Sequence, residues 1–94
     1  MTQLQRRGDQ RVDSPLLVFL ENARGVTRDV SPSGAFFWTS GTYAVGDPIS
    51  FTIELNTARG RMMRKCRGSV VRTERLAHMV GVAASIADST MESA

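Results

Sequence analysis

Two groups of residues in this 94-residue chain carry donors and acceptors of the kind that grip an anion or a nucleobase. Near the N-terminus, Arg7 and Arg11 stand four positions apart, with Arg6 just before them and Gly8 between. The glycine lets the backbone fold so that both guanidinium forks converge on one anion. Such a fork matches a phosphate, or the O6/N7 edge of guanine, in bidentate fashion. Further along runs Asp29-Val30-Ser31-Pro32-Ser33-Gly34. If this is a strand end, Asp29 and Ser31 share a face, because side chains alternate along a strand. A carboxylate there can accept from the N1–H and exocyclic amine of a guanine, and a hydroxyl can bridge to a phosphate or base edge. Gly34 permits a backbone conformation or a close approach that a side chain would block. Each group also has a plainer reading, a solvated basic tail and an Asx-type turn. Arg24 and Arg28 repeat the four-residue spacing but lie in or beside a strand, so they are not assigned to the site.

Enzyme chemistry finds little support. His78 is the sole histidine, and no Cys- or His-rich spacing suits a metal. Cys66 lies in a strand-like run with Val70 and reads as a buried, inert thiol. His78, between Ala77 and Met79, reads as a solvated turn residue. Asp29 and Ser31 lack a third partner of the right kind for acyl transfer. The expectation is a protein that is not an enzyme and needs no cofactor.

The composition agrees with an anionic partner. Lys+Arg number 12 against 9 Asp+Glu, the net charge is +3, and Lys65 is the one lysine. Arginine offers a planar fork where lysine offers a point charge. Seven of the twelve cations, Arg59, Arg61, Arg64, Lys65, Arg67, Arg72 and Arg75, crowd into one stretch opposed only by Glu74. That stretch reads as the solvated face of a long hairpin, with a flank of the site or a docking surface for an acidic partner as alternatives. The lone cysteine argues for a reducing compartment. The first fifteen residues lack the apolar stretch of a signal peptide, and Leu16 to Leu20 is too short to span a bilayer. A cytoplasmic domain without membrane insertion is expected.

The elements that must position these residues are strands. Residues 1–13 are polar and read as an arm, 14–87 as the folded domain, and 88–94 as a polar tail. Leu16–Leu20, Gly25–Val30, Ala35–Ser40, Ile49–Leu55, Met62–Glu74 and Val80–Ile86 read as strands, with turn formers between them and a bulge near Arg67 and Gly68. Ile49, Phe51, Ile53 and Leu55 give the cleanest alternation. Six short strands and no convincing helix predict an all-β fold, a small antiparallel barrel, since an open sheet this small would expose two edges.

Together the arm and the turn resemble the PilZ family, small bacterial barrels that bind cyclic di-GMP. The resemblance runs from Gln5 to Ile86. It includes Val45-Gly46-Asp47 before an alternating strand, Gly68-Ser69-Val70-Val71-Arg72, and Val80-Gly81-Val82-Ala83. It implies a six-stranded split barrel with a flexible N-terminal arm and, here, at most a short C-terminal helix. It further implies that Arg7 and Arg11 grip phosphates and guanines, and that Arg6 adds a cation–π or phosphate contact. Asp29 and Ser31 would receive a guanine and the ribose-phosphate, and Gly34 would shape the turn. The implied function is a non-catalytic receptor for cyclic di-GMP that signals to a downstream protein by closing its arm. Two alternatives stand beside it: a basic barrel that stacks single-stranded nucleic acid on Phe36, Phe37 or Trp38, and a protein-interaction module with a vestigial site. The number of nucleotides bound, and whether the domain dimerises, are left open.

Overall fold

The computed structural model describes residues 14–94, and the arm with Arg6, Arg7 and Arg11 lies outside the described residues. Six strands follow one another: β1 (Leu17–Phe19), β2 (Arg24–Val30), β3 (Gly34–Thr39), β4 (Pro48–Thr57), β5 (Gly60–Arg75) and β6 (Val80–Ser93). All pair antiparallel and close into a barrel in the order β1-β2-β3-β6-β5-β4. Closure satisfies the expectation of an all-β barrel and explains how so small a sheet avoids two free edges. The described residues contain no helix, and hence none long and apolar enough to cross a membrane.

Inward positions follow the period-2 pattern. Ile49, Phe51 and Ile53 of β4 meet Val18, Val30, Phe37, Cys66, Val70 and Val82 in one core. Phe37 and Phe51 pack with ring centroids 5.2 Å apart at a tilt of 49°. Two buried threonines are paired. Thr39 Oγ1 donates to the Arg24 carbonyl at 2.8 Å, and Thr27 Oγ1 accepts from the Leu16 amide at 2.9 Å.

The last two strands correct the expectation. β5 spans 16 residues and β6 spans 14, so not all six strands are short. The segment expected to be a polar tail, 88–94, instead continues β6 to Ser93, pairing Met62↔Ser93 through Arg67↔Asp88. It makes no apolar alternation because it pairs with β5 alone. The ladder between β3 and β6 ends at Gly34↔Ser85, leaving the remainder of β6 outside the closed barrel. It is held by backbone pairing, and exposed cross-strand ion pairs, Lys65–Glu92 at 3.3 Å and Arg67–Asp88 at 3.1 Å, add little to that.

The expected bulge appears between Arg67 and Gly68, with a second between Val70 and Arg72. A third, between Thr27 and Asp29, was not foreseen, and it matters most for the site.

Candidate functional site

The turn joining β2 to β3 is closed by the Ser31 amide, which donates to the Gly34 carbonyl at 2.8 Å, with Ser31 Oγ donating to the same oxygen at 3.4 Å. The Ser33 carbonyl accepts from the Ile86 amide at 2.8 Å. The Ser31 and Pro32 carbonyls accept from Arg64 Nη1 and Nη2, at 2.9 and 2.7 Å. All four carbonyls of Ser31–Gly34 are thus held, which fixes the loop before any ligand arrives. Gly34 packs closely, since a Cβ there would stand 3.1 Å from the Ala84 carbonyl oxygen, which would have to give by a few tenths of an ångström.

Asp29 and Ser31 flank Val30, whose side chain belongs to the core. Both therefore project to the outer side of the barrel, beside the turn. The bulge at Arg28 adds a third side chain there: Thr27 pairs with Phe37, and Asp29 with Phe36, so Arg28 is the extra residue. Its Nε donates to Asp29 Oδ2 at 3.0 Å. Its guanidinium lies over the Phe36 ring, 3.9 Å from the centroid. Arg72 reaches the same ring at 5.5 Å while donating to Glu74 Oε2 at 3.2 Å.

Phe36 is only 2% exposed although its side chain is not part of the core cluster. Arginines cover it on the outside, and Trp38 meets it edge-on at 5.1 Å and 79°. Gly81 makes the room: a Cβ there would lie 2.5 Å from Phe36 Cζ and 2.8 Å from Trp38 Cζ3.

The first described residues run toward this site. The Thr27 amide donates to the Leu16 carbonyl at 2.9 Å, and Thr27 Oγ1 donates to the Ser14 carbonyl at 3.3 Å. Ser14–Leu16 thereby extends the antiparallel pairing of β1 with β2, which at Leu17↔Val26 already heads toward Asp29.

Of the residues singled out in the sequence, Asp29, Ser31 and Gly34 come together around one turn. Arg6, Arg7 and Arg11 lie outside the described residues. The set-aside pair splits. Arg24 sits at the other end of β2, 6.0 Å from the Phe19 ring, whereas Arg28 is fastened to Asp29. Nothing in the local sequence marks Arg28, because a bulge, and not a motif, turns it onto this face.

The basic stretch also resolves. It is opposed across the sheet by Asp88 and Glu92 as well as by Glu74, and Arg64 turns to the loop carbonyls. Cys66 is 1% exposed. Burial pushes its thiol pKa up, against a smaller opposing pull from Arg64. His78 is exposed in the β5–β6 turn, so the two form no pair. Among the described residues, no group of three or more His, Cys, Asp or Glu side chains is placed to hold a metal ion. Concavities of about 380 and 450 Å³, near Leu20–Tyr43 and near Phe19–Arg67, share no residue with the turn.

The family model described as the PilZ domain matches residues 5–93. The chain is similar to the solved structure of the Bacillus subtilis inhibitor of motility (MotI/DgrA), with a TM-score of 0.75 at 16% identity. That match covers 96% of this chain and 46% of the other, so this chain spans less than half the length of that protein. No curated protein matches the chain.

Proposed function

The chain belongs to the PilZ domain family, whose members are generally non-catalytic receptors for cyclic di-GMP, and on that premise we propose that it binds this nucleotide and reports it to a partner protein. The observation that carries the reading is the fastening of Ser14 and Leu16 to Thr27, two positions from Asp29. Arg11 precedes Ser14 by three residues in the sequence and Arg7 by seven. Arg7 and Arg11 are proposed to serve a ligand seated on Asp29 and the Ser31–Gly34 turn.

In this proposal each group meets a complementary part of the ligand. Asp29 accepts from the Watson–Crick edge of one guanine. Arg7 and Arg11 pair with the phosphates in charge-assisted, bidentate fashion, and Arg6 adds a cation–π or phosphate contact. Ser31 serves the ribose-phosphate. Any backbone that becomes fixed on binding costs ~1–2 kcal/mol per residue, which the charge-assisted bonds must exceed. The turn contributes by being already fixed. Arm closure changes the surface shown to a partner, and that change is the signal.

The nucleic-acid alternative fares worse. Phe37 is fully buried and Phe36 lies beneath Arg28 and Arg72, leaving Trp38 as the half-buried member of the trio. Trp38 is the sole tryptophan, so its fluorescence can follow a titration. The receptor reading predicts that cyclic di-GMP changes this emission saturably and that a single-stranded oligonucleotide neither reproduces nor competes with the change. An oligonucleotide that displaces the nucleotide, with affinity rising with its length, would overturn it.

A further inference from the structure

We propose that Arg28, whose guanidinium carbon lies over the Phe36 ring, is a stacking platform for a purine, so that the site reads a guanine by its face as well as by its edge. This rests on the receptor reading above. A guanidinium on a protein surface ordinarily samples many rotamers and loses that freedom on binding. Two contacts restrict Arg28 in advance. The bulge turns it onto the face of Asp29, the 3.0 Å bond from Nε to Asp29 Oδ2 ties its edge, and its Cζ lies over the Phe36 ring, 3.9 Å from the centroid.

The Arg28 side chain remains 48% exposed while Asp29 is 16% exposed, and the proposal seats the base on the side of Arg28 away from Phe36. A planar, delocalised and weakly hydrated cation above an aromatic ring accepts a second π surface on its other side. The result is a three-layer stack of Phe36, Arg28 and base, with the Asp29 carboxylate at its rim as the acceptor for guanine N–H groups. Arg72, at 5.5 Å from the same ring, completes the cover of Phe36. Gly81 belongs to this arrangement too, since without the space it leaves Phe36 and Trp38 could not lie where they do.

A purely structural role makes a different prediction. If Arg28 only shields Phe36 and neutralises Asp29, its removal changes the stability of the free protein and not its choice of ligand. If it acts only as a positive charge, lysine replaces it, and the effect fades as salt is raised. A stacking surface needs the plane, and its contribution survives salt.

The test is titration of the full chain with cyclic di-GMP at low and high salt, followed by Trp38 emission and by calorimetry, for wild type, Arg28→Ala and Arg28→Lys. The inference predicts that both substitutions weaken binding by about 10- to 100-fold, the range of one lost base–side-chain stack. The ratio to wild type should persist at high salt, and both variants should remain folded by their melting curves, with a lower midpoint in Arg28→Ala where Phe36 loses part of its cover. Wild-type affinity in Arg28→Lys, or a ratio that collapses with salt, overturns the platform while leaving the receptor reading intact. Wild-type affinity in Arg28→Ala does the same. Failure of the wild-type chain to bind at all overturns the receptor reading, and the inference with it.

Discussion

Arg64, the fifth residue of β5, donates from Nη1 to the carbonyl of Ser31 at 2.9 Å, across 33 positions of sequence. Its second nitrogen takes the neighbouring Pro32 carbonyl at 2.7 Å, and Nε donates to Ser89 Oγ at 3.2 Å. One side chain thus ties the β2–β3 turn to the β5–β6 ribbon. The turn that carries the candidate ligand residues is held from outside its own hairpin.

Replacing Arg64 with alanine releases both carbonyls and loosens the turn. Hydrogen bonds to a charged donor contribute about 1.5–3 kcal/mol, less where water can substitute, so a loss near the low end of that range is expected. Cyclic di-GMP affinity should fall with it, and Arg64→Lys should restore neither, because a single ammonium cannot span two consecutive carbonyls as the fork does. Melting curves and titrations of the two variants check this. Unchanged binding in Arg64→Ala would show that the clamp does not preorganise the site.

Gly81→Ala places a methyl group 2.5 Å from Phe36 Cζ. One ring or the other must move, at about 1–3 kcal/mol for overpacking of this kind. Because Trp38 is the other neighbour, its emission should shift in the folded variant. Denaturant titration read by fluorescence measures both effects in one experiment.

Cys66 links stability to alkaline pH. Burial raises the folded-state pKa above the ordinary 9.0, so the folded thiol keeps its proton where the unfolded one releases it. The contribution is fully present below 9.0 and is lost as pH rises from there through the folded-state value. Chemical denaturation across that window should show falling stability, with part of the slope absent in Cys66→Ala. The same burial predicts that a thiol reagent reacts only as fast as the protein opens.

Lys65 and Arg67 point away from the candidate site and are paired with Glu92 and Asp88. Alanine at either position should leave cyclic di-GMP affinity close to wild type and change stability by less than about 1 kcal/mol, as exposed ion pairs do. Calorimetry of the two variants checks it. A large loss of affinity would bring the basic ribbon into the site.

How much of this was legible in the sequence depends on whether the determinant was local. The alternation of Ile49, Phe51 and Ile53 announced β4 because one face of that strand is buried and the other is wet. The spacing of Asp29, Ser31 and Gly34 was legible because a hairpin turn is a local object. The end of β6 was not, since Asp88–Ser93 is exposed and leaves no apolar period. Its partner is a strand more than twenty residues earlier. Arg28 was set aside because a strict two-residue alternation says nothing of a bulge, and one inserted residue changes which side chains share a face. The role of Arg64 was hidden in a crowd of like charges. Only the closure of the barrel shows which of them reaches the turn.

The most direct test of the central claim is calorimetric titration of the full chain with cyclic di-GMP, giving affinity and stoichiometry together. Wild type, Arg7→Ala, Arg11→Ala and Asp29→Ala should be compared under identical salt. The receptor account predicts saturable binding by the wild-type chain and its loss in all three variants, with Asp29→Ala remaining folded by its melting curve. Absence of binding by wild type, or binding at full strength by the arginine variants, would contradict it.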